Sequence, residues 1–147
     1  MGARNTWLLG VVCALAFTAP VHSQDNPLRV TIEKPATVTV AARTATADQS
    51  AQRVVVHVTG FRPSKDGNVQ IIVKAQMPDG TEREIGRFGL YSQAEFKTDL
   101  AGAQRYSVPL PRELAGGKRV KLTISLARPT AGTGEGAELD VGRAEIQ

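Results

Sequence analysis

The stretch Val120–Leu126, with the sequence VKLTISL, decides the fold class. Apolar residues occupy every second position in it, and polar residues fill the positions between them. Because successive side chains of a β-strand point to opposite faces, this alternation predicts a strand with one buried and one solvated face. Almost no helical periodicity competes with it elsewhere in the chain, so the sequence favours an all-β domain.

The stretch Arg53–Thr59 predicts another strong strand. Val54, Val56 and Val58 lie on one of its faces, and Val55 lies on the other. β-Branched residues suit the pleated surface of a sheet, and their presence on both faces indicates a central or partly covered strand. We expect it to form a β-hairpin, through a longer loop, with the strand that starts at Val69.

Six further segments have the alternation of short strands: Leu28–Ile32, Thr37–Val40, Val69–Met77, Ile85–Tyr91, Tyr106–Leu110 and Leu139–Ile146. Pro109 predicts an edge strand, because proline cannot donate to a central ladder. A bulge near Gly142 would bring the two halves of the last strand onto one face. The sequence therefore predicts a small antiparallel β-sandwich or barrel of about seven to eight strands.

The N-terminus has the pattern of a secretory signal. Arg4 supplies a positive charge, an apolar run follows from Trp7 to Phe17, and Val21 and Ser23 are suitably small for cleavage before Gln24. The run is shorter than the roughly 20 residues of a membrane-spanning helix, so a signal is favoured over an anchor. We expect a periplasmic or secreted protein with no membrane span after cleavage.

Removing 23 of the 147 residues leaves 124, which suits one domain. The sequence divides into a signal peptide (1–23), N-terminal strands with a linker (24–52) and a β-sandwich domain (53–147). The whole chain has 18 basic and 14 acidic side chains, and they are scattered. A nucleic-acid-binding protein would show a denser basic stripe with interleaved aromatic residues, so we expect no nucleic-acid partner.

The residues available for chemistry are few. Beyond the signal, the chain has one histidine, His57, and no cysteine, which cannot build a zinc or blue-copper site. We expect His57 to be a surface or rim residue, and the Gly-rich stretch 129–136 to be a mobile loop rather than a phosphate cradle. Pairs of carboxylates, Glu82 with Glu84 and Glu135 with Glu138, are expected to be solvated. The sequence predicts no catalytic residue, metal, cofactor or enzymatic activity.

The order of these segments resembles the C-terminal β-domain of tyrosinases and polyphenol oxidases. The resemblance rests on the extended Pro-containing segment Lys34–Val40, the linker 41–52 and the valine-rich strand closed by Gly60. It continues through the glycine-aromatic strand Ile85–Tyr91 and ends in the two segments Val120–Pro129 and Leu139–Ile146. The histidine-rich dicopper domain that precedes this domain in the family is absent from the chain.

The resemblance implies a covering or stabilising role, because the family's C-terminal domain shields the copper site. It implies a separately encoded dicopper oxidase, or another exported protein, as partner. Phe88, Tyr91 and Phe96 are the candidate partner-binding residues, because the strand Ile85–Tyr91 offers aromatic groups on both faces and Phe96 lies in the adjoining loop 92–97. The alternative is an extracytoplasmic ligand-binding module, for example one for polysaccharide.

Overall fold

The computed structural model describes residues 26–42, 52–90, 94–117 and 119–147. This part of the chain is almost entirely β-structure, as predicted. It contains nine strands and one 3-10 turn, Arg112–Leu114: β1 (Leu28–Thr31), β2 (Ala36–Ala41), β3 (Arg53–Arg62), β4 (Gln70–Gln76), β5 (Glu82–Phe88), β6 (Phe96–Lys97), β7 (Gln104–Pro109), β8 (Arg119–Ala127) and β9 (Glu138–Ile146). β6, with only two residues, is too short to be recognised from alternation.

The strands form two antiparallel sheets that face each other as a β-sandwich. The first sheet has the order β1-β9-β3, and β7 and β6 share the far edge of β3. The second has the order β2-β8-β4-β5. β1 and β2 precede the domain start expected at residue 53, yet they pair with β9 and β8 and are integral to the two sheets.

The core lies between the sheets, and β8 shows how the sequence builds it. Val120, Leu122, Ile124 and Leu126 are all buried, while Lys121 on the opposite face is exposed. The facing sheet contributes buried residues with the same alternation, among them Val54, Val56, Val58, Leu139 and Val141. The chain has a single cysteine and therefore no internal disulfide, so burial of these side chains supplies most of the stabilising free energy.

The predicted hairpin between Arg53–Thr59 and the strand from Val69 is wrong. β3 pairs with β9, β7 and β6, whereas β4 pairs with β8 and β5, so residues 63–69 cross from one sheet to the other. The reason is that β3 is buried on both faces from Val54 to Phe61 and takes a central place in its sheet. The hairpin neighbour of β4 is β5, through a turn closed by a hydrogen bond from the Met77 N–H to the Thr81 carbonyl.

Glycines mark two irregularities in the ladders. β3 pairs His57 with Arg143 but Val58 with Val141, so Gly142 forms the predicted bulge in β9. The bulge keeps Leu139 and Ile146 on the buried face. Strand pairing also shifts next to Gly86 in β5, where a Cβ atom would lie only 2.4 Å from the Val108 side chain of the facing sheet.

The register places several strand ends together at one end of the sandwich. Arg62 at the end of β3 lies opposite Glu138 at the start of β9, and Phe96 in β6 lies opposite Phe61. The side formed by β5 and β7 is separate from the side formed by β1 and β2. Within the described residues, no helix has the length and apolar character needed to cross a membrane.

Candidate interaction surface

Phe88 and Phe96 lie on the β5–β7 side of the sandwich. Phe88 ends β5, and its half-buried ring stacks on Tyr106 of β7 with centroids 4.3 Å apart and planes 9° apart. Phe96 begins β6 and is also half-buried against the core. The structure therefore brings both residues to one side as rim residues of the core. Tyr91, the third candidate, lies outside the described residues.

Phe96 borders a small groove on the outer surface of the first sheet. Its lining residues are Arg29, Phe61, Arg62, Glu95, Phe96, Lys97, Glu138 and Asp140. The cavity volume is about 70 Å³, far below the several hundred Å³ of a site for a drug-sized ligand. The groove therefore has room for water rather than for a sugar ring.

Ion pairs connect the charged residues of this groove. The Arg29 Nε atom lies 3.1 Å from Glu138 and 3.4 Å from Asp140, and Arg62 lies 3.7 Å from both Glu95 and Glu138. The sequence predicted that Glu138 is solvated, but it did not predict that Glu138 and Asp140 share one surface. The alternation of β9 could have shown this: Leu139 points into the core, so Glu138 and Asp140 on either side of it point outward.

His57 is buried, which corrects the expectation of a surface or rim position. The residue is 5% exposed, and its Nε2 atom lies 3.1 Å from the Glu145 carboxylate. Its cross-strand neighbours are Arg105 and Arg143, whose long apolar stems can cover a sheet face. Burial raises the pKa of Glu145, but hydrogen bonds from Gln147 and His57 and the charge of Arg143 outweigh it and lower that pKa overall.

The Gly-rich stretch is a loop, and Asp66 holds it in place. The Asp66 carboxylate accepts hydrogen bonds from the Thr133 N–H at 2.7 Å, the Gly134 N–H at 3.0 Å and the Thr133 hydroxyl at 3.1 Å. The Lys65 ammonium lies 2.6 Å from Glu135. The backbone amides of the stretch thus bind a carboxylate of the chain itself, which gives the predicted mobile loop a fixed attachment.

This attachment should weaken at low pH. The hydrogen bond from the Thr133 amide, ahead of the other donors, lowers the pKa of Asp66 in the folded protein. The attachment is therefore complete above the unfolded-state pKa of about 4 and is lost as the pH falls through the lower folded-state pKa. We expect Asp66→Ala to remove the exchange protection of the Thr133 and Gly134 amides at neutral pH, as measured by NMR hydrogen exchange.

Asp99→Ala is the matched control, because Asp99 accepts a hydrogen bond from the Gly102 amide in a different loop. That variant should expose Gly102 and leave Thr133 and Gly134 protected. Unchanged protection of Thr133 and Gly134 in Asp66→Ala would show that the loop does not depend on this carboxylate.

The paired carboxylates are engaged with other side chains of the chain. Glu82 accepts a hydrogen bond from Thr123, and Glu84 pairs with Arg87, which is the first cause of the lowered pKa of Glu84. Glu135 and Glu138 form the ion pairs described above. Across the described residues, no three His, Cys, Asp or Glu side chains converge as a metal site would require. Met77, at the end of the predicted strand segment Val69–Met77, is buried.

Comparisons with known proteins add little to this geometry. No protein-family model matches the sequence, and no curated protein matches it either. A chain in the solved structure of infectious bursal disease virus, Gt strain, is similar over 95% of this chain with 15% identity and a TM-score of 0.29. The match spans 37% of that viral chain, and a TM-score this low supports no inference about fold or function.

Proposed function

We propose that the chain is an exported, non-catalytic interaction module that covers part of another exported protein. The resemblance to the tyrosinase C-terminal domain suggests the partner class, a separately encoded dicopper oxidase. In this proposal the module acts in the periplasm or outside the cell, needs no cofactor and shields its partner through the side that carries Phe88 and Phe96.

The surroundings of Phe96 are the observation that supports this proposal. The half-buried Phe96 lines the groove together with Arg62, Glu95 and Lys97, all of which are exposed. An apolar centre within a charged rim is the usual anatomy of a protein–protein interface. The neighbouring groove is too small for a sugar ring, so this surface suits a flat protein contact better than a polysaccharide chain.

The proposal predicts binding to a dicopper catalytic domain that lacks its own C-terminal domain. Titrating the exported chain into such a domain should give a one-to-one complex in sedimentation. It should also slow diphenol oxidation, because a covering domain restricts access to the copper site.

N-terminal sequencing of the exported chain should start at Gln24. The proposal would be contradicted if the catalytic domain sedimented alone and oxidised the diphenol at an unchanged rate. It would also be contradicted if the exported chain retained Trp7.

A further inference from the structure

The open edge of β2 differs from the other edges of the sandwich. Among the described strands, β2 pairs only with β8, so its far side presents free N–H and C=O groups. The remaining edge strands carry features that usually block edge pairing. β1 has only four residues and includes Arg29, and β6 has only two residues. β5 has four charged residues and a pairing shift, and β7 ends in Pro109. β2 has the sequence ATVTVA, without a charge, a proline or a glycine.

The side chains of β2 also show that its edge is incompletely covered. Val38 lies opposite the fully buried Leu122 and belongs to the inward row, yet it is only half-buried. Ala36, in the same row, is half-buried as well, whereas Thr37 and Thr39 point outward and are exposed. A strand added beside β2 would complete the burial of the inward row and extend the second sheet.

We propose that a second copy of this chain pairs with β2 across a twofold axis at Val38. In this antiparallel register, Val38 lies opposite Val38 of the second copy and Ala36 lies opposite Val40, all in the inward row. Thr37 and Thr39 lie opposite each other in the outward row, where cross-strand threonine pairs are favourable.

A second copy suits this edge because the register is self-complementary. Every residue from Ala36 to Val40 lies opposite one of the same polarity, and no charge meets a like charge. β2 lies on the opposite side of the sandwich from Phe88 and Phe96. Dimer formation therefore leaves the proposed partner surface open, and the two proposals can fail separately.

The test uses the full chain as the expressing cell processes it, in sedimentation equilibrium from about 1 μM to about 1 mM. Wild type should form dimers as the concentration rises. The double substitution Thr37→Glu/Thr39→Glu places two pairs of like charges across the axis. It should raise the dissociation constant of the dimer at least about tenfold. The monomer should stay folded, because Lys121 lies opposite Thr39 and favours glutamate there. Thermal unfolding checks this.

Thr37→Lys/Thr39→Glu is the matched variant. It keeps glutamate opposite Lys121 but places opposite charges across the axis, so dimer formation should return to at least the wild-type level. Three results would each overturn the proposal: a wild-type chain that stays monomeric at every concentration, a Glu/Glu variant that dimerises as well as wild type, or a Lys/Glu variant as weak as the Glu/Glu variant.

Discussion

Gly86→Ala is expected to destabilise the domain by about 3 kcal/mol, near the upper end of ordinary overpacking effects. A Cβ atom at residue 86 would lie 2.4 Å from Cγ1 and 2.6 Å from Cβ of Val108, which belongs to the facing sheet. Rotating the Val108 side chain cannot move its Cβ atom, so the sheets themselves must separate. The free energy of unfolding in urea measures this effect.

Gly89→Ala is the control for that substitution. A Cβ atom at residue 89 meets nothing within 4 Å, so the free energy of unfolding should change by less than about 0.5 kcal/mol. The cost of Gly86→Ala should also be smaller in a Val108→Ala background, which removes the closer of the two contacts. Equal costs in both backgrounds would show that the two sheets do not meet at this position.

Ile124→Ala is expected to lower the free energy of unfolding by about 2–5 kcal/mol. Ile124 is fully buried at the centre of β8 and lies opposite both Ala36 of β2 and Val73 of β4. Truncating it leaves a cavity between the sheets that neighbouring strands can fill only partly. Because a domain of this size has a total stability of about 5–15 kcal/mol, this single change should lower its thermal midpoint strongly.

Lys121→Ala is the control on the same strand, since Lys121 lies in the exposed row of β8. It should change the free energy of unfolding by about 0.5 kcal/mol or less. A larger loss from Lys121→Ala than from Ile124→Ala would mean that the inward and outward rows of β8 are assigned the wrong way round.

The strands could be predicted from the sequence because alternation is a local property. VKLTISL specifies a buried face within seven residues, and the phase change at Gly142 indicates a bulge without knowledge of its partner strand. Pairing is different, since it depends on which faces the rest of the chain covers. β3 follows the hairpin pattern with β4, but burial on both of its faces requires neighbours from later in the chain.

The environments of functional side chains could be predicted less well, because they depend on distant contacts. Asp66 meets Thr133, 67 positions later, and His57 meets Glu145, 88 positions later. Neither contact changes the local alternation of apolar and polar residues in the sequence. The glycine-aromatic segment singled out Phe88 as a candidate partner-binding residue, and that role remains a prediction. The stacking partner of Phe88, Tyr106, could be identified only from the fold.

Phe96→Ala tests the proposed partner surface most directly, when its effects on stability and binding are measured side by side. Because Phe96 is half-buried, we expect a smaller loss of unfolding free energy than for Ile124→Ala. An interface hot spot costs about 2 kcal/mol or more of binding, so affinity for the dicopper catalytic domain should fall about 30-fold or more. The result that would contradict the account is a clear loss of stability with unchanged affinity, since Phe96 would then serve the core alone.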